Sequence, residues 1–274
     1  MSVKNLVMTL FNEPNLIRGI CRVAIRRFRI GSYSFRLSIG AVKRPHYGYL
    51  VNQAARLAMR LGHARVSIVE FGVAGGAGLL ALEYHATHVE KLYPVKIEIY
   101  GFDTGEGLPV AHDYRDMPYI YKPGFYRMNI PALKARLKRA KLVLGNVSDT
   151  VGKFMEEFNP APVGAVAHDM DYYSSTMAGL KLFDAGSTHF LPRVFCYFDD
   201  IIGGETEVFG DFTGQRLAIN DFNESHARLK LTPIYYLRTN PGARLWHHQM
   251  WSLHFFDHAD YNTFVGEENQ QLPI

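Results

Sequence analysis

The chain has 274 residues, 47% hydrophobic and 20% charged, a globular balance with enough apolar content for a full core. Its net charge of +4 is unevenly placed: nine Lys and Arg against the single Glu13 give residues 1–45 a charge of +8 and leave −4 for the rest, which excludes a nucleic-acid-binding body by composition. No run of 18 apolar residues spans a membrane, no secretory leader is expected, and Cys21 and Cys196 lack metal-type spacing, so a reducing, cytoplasmic setting is the expectation.

In chain order, residues 14–30 read as a helix with Arg18, Arg22, Arg26 and Arg29 on one stripe and Ile17, Ile20, Ala24 and Phe28 on roughly the other side. Either this helix packs on its own domain with a solvated arginine face, or it meets an anionic partner or the inner membrane surface peripherally. Residues 1–45 are therefore expected to form a basic helical extension of a single domain over 46–274. Residues 48–62 form the next helix, closed by Gly62. Strand 66–71, helix 78–92, strand 96–102, a long loop over 104–128, helix 131–140, strand 142–144, helix 148–158, strand 165–168, helix 174–185 and strand 193–198 follow. Repeated βα units predict an α/β fold with a parallel sheet covered on both faces. Helix 214–227 then precedes two aromatic-rich strands, 234–238 and 249–257, joined through Asn240-Pro241-Gly242 as a terminal antiparallel pair.

Ligands in open α/β sheets bind at the carboxyl ends of the strands. There the first strand ends in Glu70, and Gly72, Gly75, Gly76 and Gly78 follow, residues that let backbone N–H groups approach a ligand. Gly76–Ala81 formally matches G-x-G-x-x-A, the dinucleotide fingerprint of an NAD(P)-dependent oxidoreductase. The adjacent glutamate argues against a pyrophosphate and for a cationic ligand, an ammonium or sulfonium. Asp103, ending the second strand, is placed to accept ribose hydroxyls. Asp169 and Asp171 after the fourth strand and Asp199-Asp200 after the fifth would repel one another unless protonated or bridged by a cation. Hard oxygens from Asp169, Asp199 and Asp200 suit Mg²⁺, while Asp171 or Ser174 reads as a cap for the following helix. Four histidines, 247, 248, 254 and 258, are too spread along one strand to share a zinc ion. His168 is either a core-edge residue or a proton acceptor.

The ordered set E-F-G-V-x-x-G-G, G-F-D-T-x-E-G-L-P, G-N-V-x-D-T-V, D-x-D-x-Y-x-S-T and F-D-D, over about residues 47–230, resembles the macrocin/mycinamicin (TylF-type) O-methyltransferase family. The resemblance implies a Rossmann-like class I fold with a mostly parallel seven-stranded sheet and a C-terminal antiparallel hairpin. It implies S-adenosyl-L-methionine as cofactor, Mg²⁺, and a sugar hydroxyl as acceptor. Glu70 would then face the methionine part, Gly72–Gly78, including Val73, the cofactor's backbone, and Asp103 the ribose. Asn146, Val147 and Ser148 would lie near the adenine, and Asp169, Asp199 and Asp200 would hold the metal. The chain departs from the pattern in reading D-T-G-E-G for D-S-F-E-G, and its C-terminal hairpin carries no transferable motif.

The resulting expectation is a Mg²⁺-assisted O-methyltransferase in which Asp169, or His168 beside it, takes the proton from the acceptor, a small molecule or glycan. Residues 104–128, with Tyr114, Tyr119, Tyr121, Phe125 and Tyr126, would serve as a lid. A catalytically silent binding module on the same fold is the alternative outside catalysis, and self-association as a homo-oligomer is left open.

Overall fold

The structure, a computed structural model, describes residues 16–240 and 242–271. Pro14 and Asn15 of the first expected helix, and Pro241 of the expected turn, lie outside the described residues. Helix α1 spans Leu16–Phe28, and after a short helix at Tyr33–Ser38 the sixteen-residue α2 covers Pro45–Arg60. The alternation then begins: β1 (Arg65–Phe71), α3 (Ala77–Val89) and β2 (Lys96–Asp103), followed by the long loop and a five-residue helix at Ile130–Lys134. Strand β3 (Lys141–Leu144) leads through short turns of helix over 147–158 to β4 (Val163–His168), α4 (Tyr173–Leu180) and β5 (Phe190–Phe198). Helix α5 (Gly214–Ser225), β6 (Leu229–Pro233) and β7 (Met250–Phe255) complete the fold.

The seven strands order as β3-β2-β1-β4-β5-β7-β6. Every pair from β3 to β5 is parallel, while β7 runs antiparallel to both β5 and β6. The central strands are buried along nearly their whole length because both faces are covered, which explains their continuous apolar runs. One core gathers Leu50, Ala54, Ile68, Leu82 and Ala165 beneath α2 and α3. The other gathers Phe71, Phe102, Phe154, Val166, Phe198 and Phe222 on the opposite face. Chain order reverses between β1 and β4, so the crevice outside their carboxyl ends is a topological switch point.

Local departures from the expected elements have identifiable causes. The helix expected over 131–140 stops at Lys134, because the carboxylate of Glu83 accepts the backbone N–H groups of Lys138, Arg139 and Ala140 at 2.9, 2.7 and 2.8 Å. A buried carboxylate takes three amide donors that a longer helix would have kept. The antiparallel pair is present, but its first member is Leu229–Pro233 rather than residues 234–238, which form a helical turn at Tyr235–Thr239. Leu229, Leu231 and Pro233 carry the two-residue period, and Pro233 sits on an edge strand, where a missing N–H is tolerated. On α1, Ile20 and Val23 are more than half exposed, whereas Arg18, Arg22 and Ile25 line a groove against Tyr49, Tyr236 and Trp246. Of the arginine stripe, Arg18, Arg26 and Arg29 are exposed and Arg22 is half-buried along this groove. No described helix is long and apolar enough to cross a membrane.

The long loop is fastened rather than free at its centre. Asp116, 1% exposed, accepts from the backbone N–H and hydroxyl of Ser174, both at 2.8 Å, and from the N–H of His112 at 2.9 Å. It thereby caps α4 from a distance, the role expected of Asp171. Met117, Tyr121 and Tyr172 form a small separate core beside it. Asp116→Ala is expected to lower the unfolding free energy by about 2–3 kcal/mol, since several hydrogen bonds to one buried carboxylate disappear together. The reading is a lower urea midpoint at unchanged slope; an unchanged midpoint would mean that the loop is held by its aromatic core alone.

Candidate active site

At the switch point, the turn after β1 is drawn tightly against the turn after β4. The N–H of Gly72 donates to the carbonyl of Phe102 at 2.9 Å, and the N–H of Asp169 to that of Phe71 at 2.9 Å. Gly72 has a φ of +83°, and a Cβ there would lie 1.7 Å from the Asp169 carbonyl oxygen, so only glycine fits. Asp103 holds the other side of the turn. Its Oδ2 accepts from the N–H groups of Val73 and Ala74, each at 2.8 Å, and its Oδ1 accepts from Gly105 at 2.6 Å. Loop and acid form one braced unit.

A cavity of about 370 Å³ opens above this unit. Gly72, Ala74 and Asp103 line it together with Asn146 and Val147, and so do Asp169, Asp199 and Asp200. Asn146 caps the short helix after β3, its Oδ1 accepting from the N–H and hydroxyl of Ser148 at 3.0 and 2.6 Å. Ser148 itself is exposed and does not line the cavity. Gly75 and Gly76 also stay out of it; a Cβ at Gly75 would meet nothing within 4 Å, and one at Gly76 would meet Leu133.

Glu70 is not in the cavity either, contrary to the expectation of an exposed strand-tip carboxylate. It is 1% exposed and accepts from the Tyr47 hydroxyl of α2 at 2.5 Å, while its second oxygen, Oε2, has no partner. Burial pushes its carboxyl up from 4.5 to about 8, against the lowering effect of the Tyr47 hydrogen bond and of Arg44. Gly78 is small for this reason. A Cβ there would stand 1.8 Å from Glu70 Oε1 and 2.4 Å from the Tyr47 hydroxyl, so Gly78 in the G-x-G-x-x-A match has a packing explanation.

The three aspartates converge: one carboxylate oxygen from each of Asp169, Asp199 and Asp200 lies within 4.8 Å of the others. Surrounding groups fix them in place. The N–H of Asp171 donates to Asp200 Oδ2 at 2.9 Å, and that of Asp200 to Gln215 Oε1 at 2.9 Å. Gln215 in turn donates to the His168 carbonyl at 3.2 Å, Gln249 to the Asp199 carbonyl at 2.6 Å, and the Tyr197 hydroxyl to Asp199 Oδ1. Burial first, and then neighbouring carboxylates, raise Asp169 and Asp200 well above the usual carboxylate range. Hard oxygen donors gathered this closely and held in position fit a Mg²⁺-sized cation, which would remove their mutual repulsion.

His168 is corrected from proton acceptor to core residue. Strand alternation turns its ring to the face opposite Asp169, where it is fully buried and stacked on Phe198 at 4.6 Å and on Phe71 at 5.4 Å. Neither ring nitrogen has a partner, and burial pushes its pKa down to about 3. Asp171, read from sequence as a cap, lines the cavity instead. It has a left-handed φ of 56°, takes a hydrogen bond from Tyr121, and is raised from 3.8 to about 6, chiefly by burial.

Beyond the aspartates lies a second cavity, of about 680 Å³, sharing Tyr121, Asp199 and Asp200 with the first. Arg44, His46 and Tyr197 line it, with Arg244 and Trp246 from the C-terminal segment that carried no recognisable motif. His46 stacks on Tyr197 at 4.6 Å and is pushed down to about 3, by burial and then by Arg44.

No protein-family model matches the chain, and no curated protein sequence matches it. Among solved structures, the calicheamicin methyltransferase CalS11 superposes with a TM-score of 0.53 over 93% of this chain and 91% of that one, at 20% identity. The chain has a methyltransferase fold. Matches of lower score include the O-methyltransferase NovP (TM-score 0.47, 13% identity, 66% of this chain and 72% of that one). Another is the O-methyltransferase TomG from Streptomyces achromogenes, involved in tomaymycin synthesis, in complex with SAM (TM-score 0.40, 15% identity, 91% and 94%).

The crowded acids set a pH dependence. Glu70 and Asp171 have folded-state pKa values of about 8 and about 6, above their ordinary values, so the stability they contribute is fully present below about pH 4. It is lost as the pH rises through 6 to 8. The metal-free protein is therefore expected to melt at a lower temperature at pH 8 than at pH 5. Mg²⁺, binding the deprotonated cluster, should raise the melting temperature more at pH 8. Glu70→Gln should flatten the upper part of the decline. A metal-free melting temperature that climbs steadily from pH 5 to pH 8 would contradict the placement of these acids.

Proposed function

We propose that the protein transfers a methyl group from S-adenosylmethionine to a hydroxyl of a small molecule or glycan, with Mg²⁺ held by Asp169, Asp199 and Asp200. One observation carries this reading: a groove of nucleoside dimensions, lined by the Asp103-braced loop, opens directly onto three converging carboxylates. Asp103 is engaged by three backbone donors yet lines the groove, so a remaining lone pair is available to a ribose hydroxyl. Val147 and Asn146 also line the groove, and an adenine ring would lie against them. The motif set adds the finer assignment to the macrocin/mycinamicin type, and with it a sugar acceptor. The aromatic side chains Tyr121, Tyr126, Tyr197 and Trp246 around the two cavities suit a sugar ring.

The chemistry asked of the protein is modest, because a sulfonium is already an activated methyl donor. A divalent cation at the three aspartates would supply Lewis acidity toward the acceptor hydroxyl. Asp169 lines the first cavity within the acid cluster and is the group assigned to receive the hydroxyl proton, now that His168 is placed in the core. Tyr197 holds the Asp199 carboxylate, while Gln249 and Gln215 fix the backbone of Asp199 and Asp200. The loop over 104–128, pinned by Asp116, contributes Thr104, Leu108, Tyr121 and Tyr126 to the groove wall, where it would help to exclude water.

Calorimetric titration tests the cofactor half. Asp103→Ala is expected to weaken S-adenosylmethionine binding by about tenfold or more, since it removes a charged acceptor and unbraces the loop; an unchanged dissociation constant would refute the ribose assignment. A separate assay tests the metal half. Methyl transfer to a hydroxylated acceptor should stop with EDTA and return with Mg²⁺, and Asp199→Asn should keep cofactor binding while losing turnover that Mg²⁺ does not restore. Full activity in excess EDTA would leave a metal-free mechanism.

A further inference from the structure

The second cavity is lined by side chains of opposite charge. Asp199 and Asp200, which belong to the acid cluster, line it together with Arg44 and Arg244. The two arginines belong to one assembly although 200 positions separate them in the chain. Arg244 donates to the carbonyls of Ile39 at 3.0 Å and Gly40 at 3.4 Å, in the segment that leads to Arg44. That segment fits closely over it, since a Cβ at Gly40 would lie 2.7 Å from Arg244 Nη1. Arg44 is held at φ 46° immediately before Pro45, a backbone region that bulky residues and residues preceding proline both avoid. Such a conformation persists only where the surroundings determine it. Trp246 and His46 complete the same wall with aromatic faces.

Resting on the methyl-transfer reading, we propose that the acceptor carries an oxyanionic group, phosphate or carboxylate, bound by Arg44 and Arg244 while its hydroxyl lies at the aspartates. Guanidinium groups present planar forks of donors that match such oxygens. The charge separation also orients the acceptor. An anionic end repelled by Asp199 and Asp200 and attracted to Arg44 and Arg244 enters in one direction only, which places the hydroxyl end toward the methyl donor.

The test is binding to the full chain with S-adenosylhomocysteine and Mg²⁺ present, at constant ionic strength. Phenyl phosphate and phenylacetate serve as anionic probes and benzyl alcohol as the neutral one. At least one anion should bind clearly more tightly than benzyl alcohol, and which one does so distinguishes phosphate from carboxylate. Arg244→Gln and Arg44→Asn should each weaken that anion by about tenfold, with S-adenosylhomocysteine affinity retained. Asparagine is chosen because it tolerates a left-handed backbone and suits a helix N-cap. Two results overturn the proposal: neither anion binding better than benzyl alcohol, or undiminished anion binding in both variants, as an ion held only through the metal would give. The titration of S-adenosylhomocysteine separates the two ideas. Its failure to bind the unaltered protein defeats the methyl-transfer reading, whereas its binding without anion recognition defeats this inference alone.

Discussion

Like charge crowded at the carboxyl edge of β4 and β5 is the constraint around which the site is organised. Asp169, Asp199 and Asp200 approach one another within 4.8 Å, with Asp171 beside them and Glu70 behind. Left to themselves, carboxylates so close and so dry would separate or remain protonated. The fold holds Asp199 and Asp200 from outside the cluster: the hydroxyl of Tyr197 and the N–H of Asp171 donate to their carboxylates, and the amides of Gln249 and Gln215 fix their backbone. These supports come from β5, from α5, from the residue preceding β7, and from the turn after β4. The C-terminal antiparallel strands thus do more than close the sheet, since they carry Gln249 to Asp199 and, just before it, Trp246 and Arg244 to the acceptor side.

The same economy governs the loop after β1. Its glycines are read most simply as clearance for a ligand, yet two of the tightest serve the protein itself. Gly72 lets the loop touch the turn that carries Asp169, and Gly78 makes room for the buried Glu70–Tyr47 pair. Asp103 then uses one carboxylate both to tie the loop and to face the groove. Shape here depends on contacts between the ends of three neighbouring strands, so the loop and the acid cluster cannot shift independently. Moving Asp169 moves Gly72, and moving Gly72 moves the N–H groups that Asp103 holds.

Much of this was legible in the sequence because the strands are buried on both faces and therefore appear as uninterrupted apolar runs ending in acids. Strand order places those ends together, and Asp103, Asp169, Asp199 and Asp200 could be assigned to one edge without coordinates. What escaped depends on partners distant in the chain. Nothing near residue 138 announces that Glu83 will take its amides, and nothing near Ser174 announces Asp116, 58 residues earlier, as its cap. His168 was ambiguous for a different reason. It stands at the strand's end, where a side chain belongs to the site or to the core according to parity alone, and parity turns it onto Phe198. The displaced strand 229–233 shows the converse: aromatic content drew attention to residues 234–238, but the two-residue period lay just before them.

The acceptor side was the least legible because it is assembled from the least periodic parts of the chain. Arg44 precedes the first long helix of the domain, Arg244 follows its last α/β unit, and only the carbonyls of Ile39 and Gly40 show that they share a wall. On the proposed reading, a centre in which one cation balances three carboxylates gains little discrimination from that cation, since many hydroxyl compounds would bind it. On that reading selectivity comes from the remainder of the acceptor, for which the second cavity offers Arg44, His46, Trp246 and Arg244. The fold could therefore keep the first cavity and the acid cluster unchanged while the second cavity, built partly from chain segments outside the βα repeat, would set which molecule is placed there.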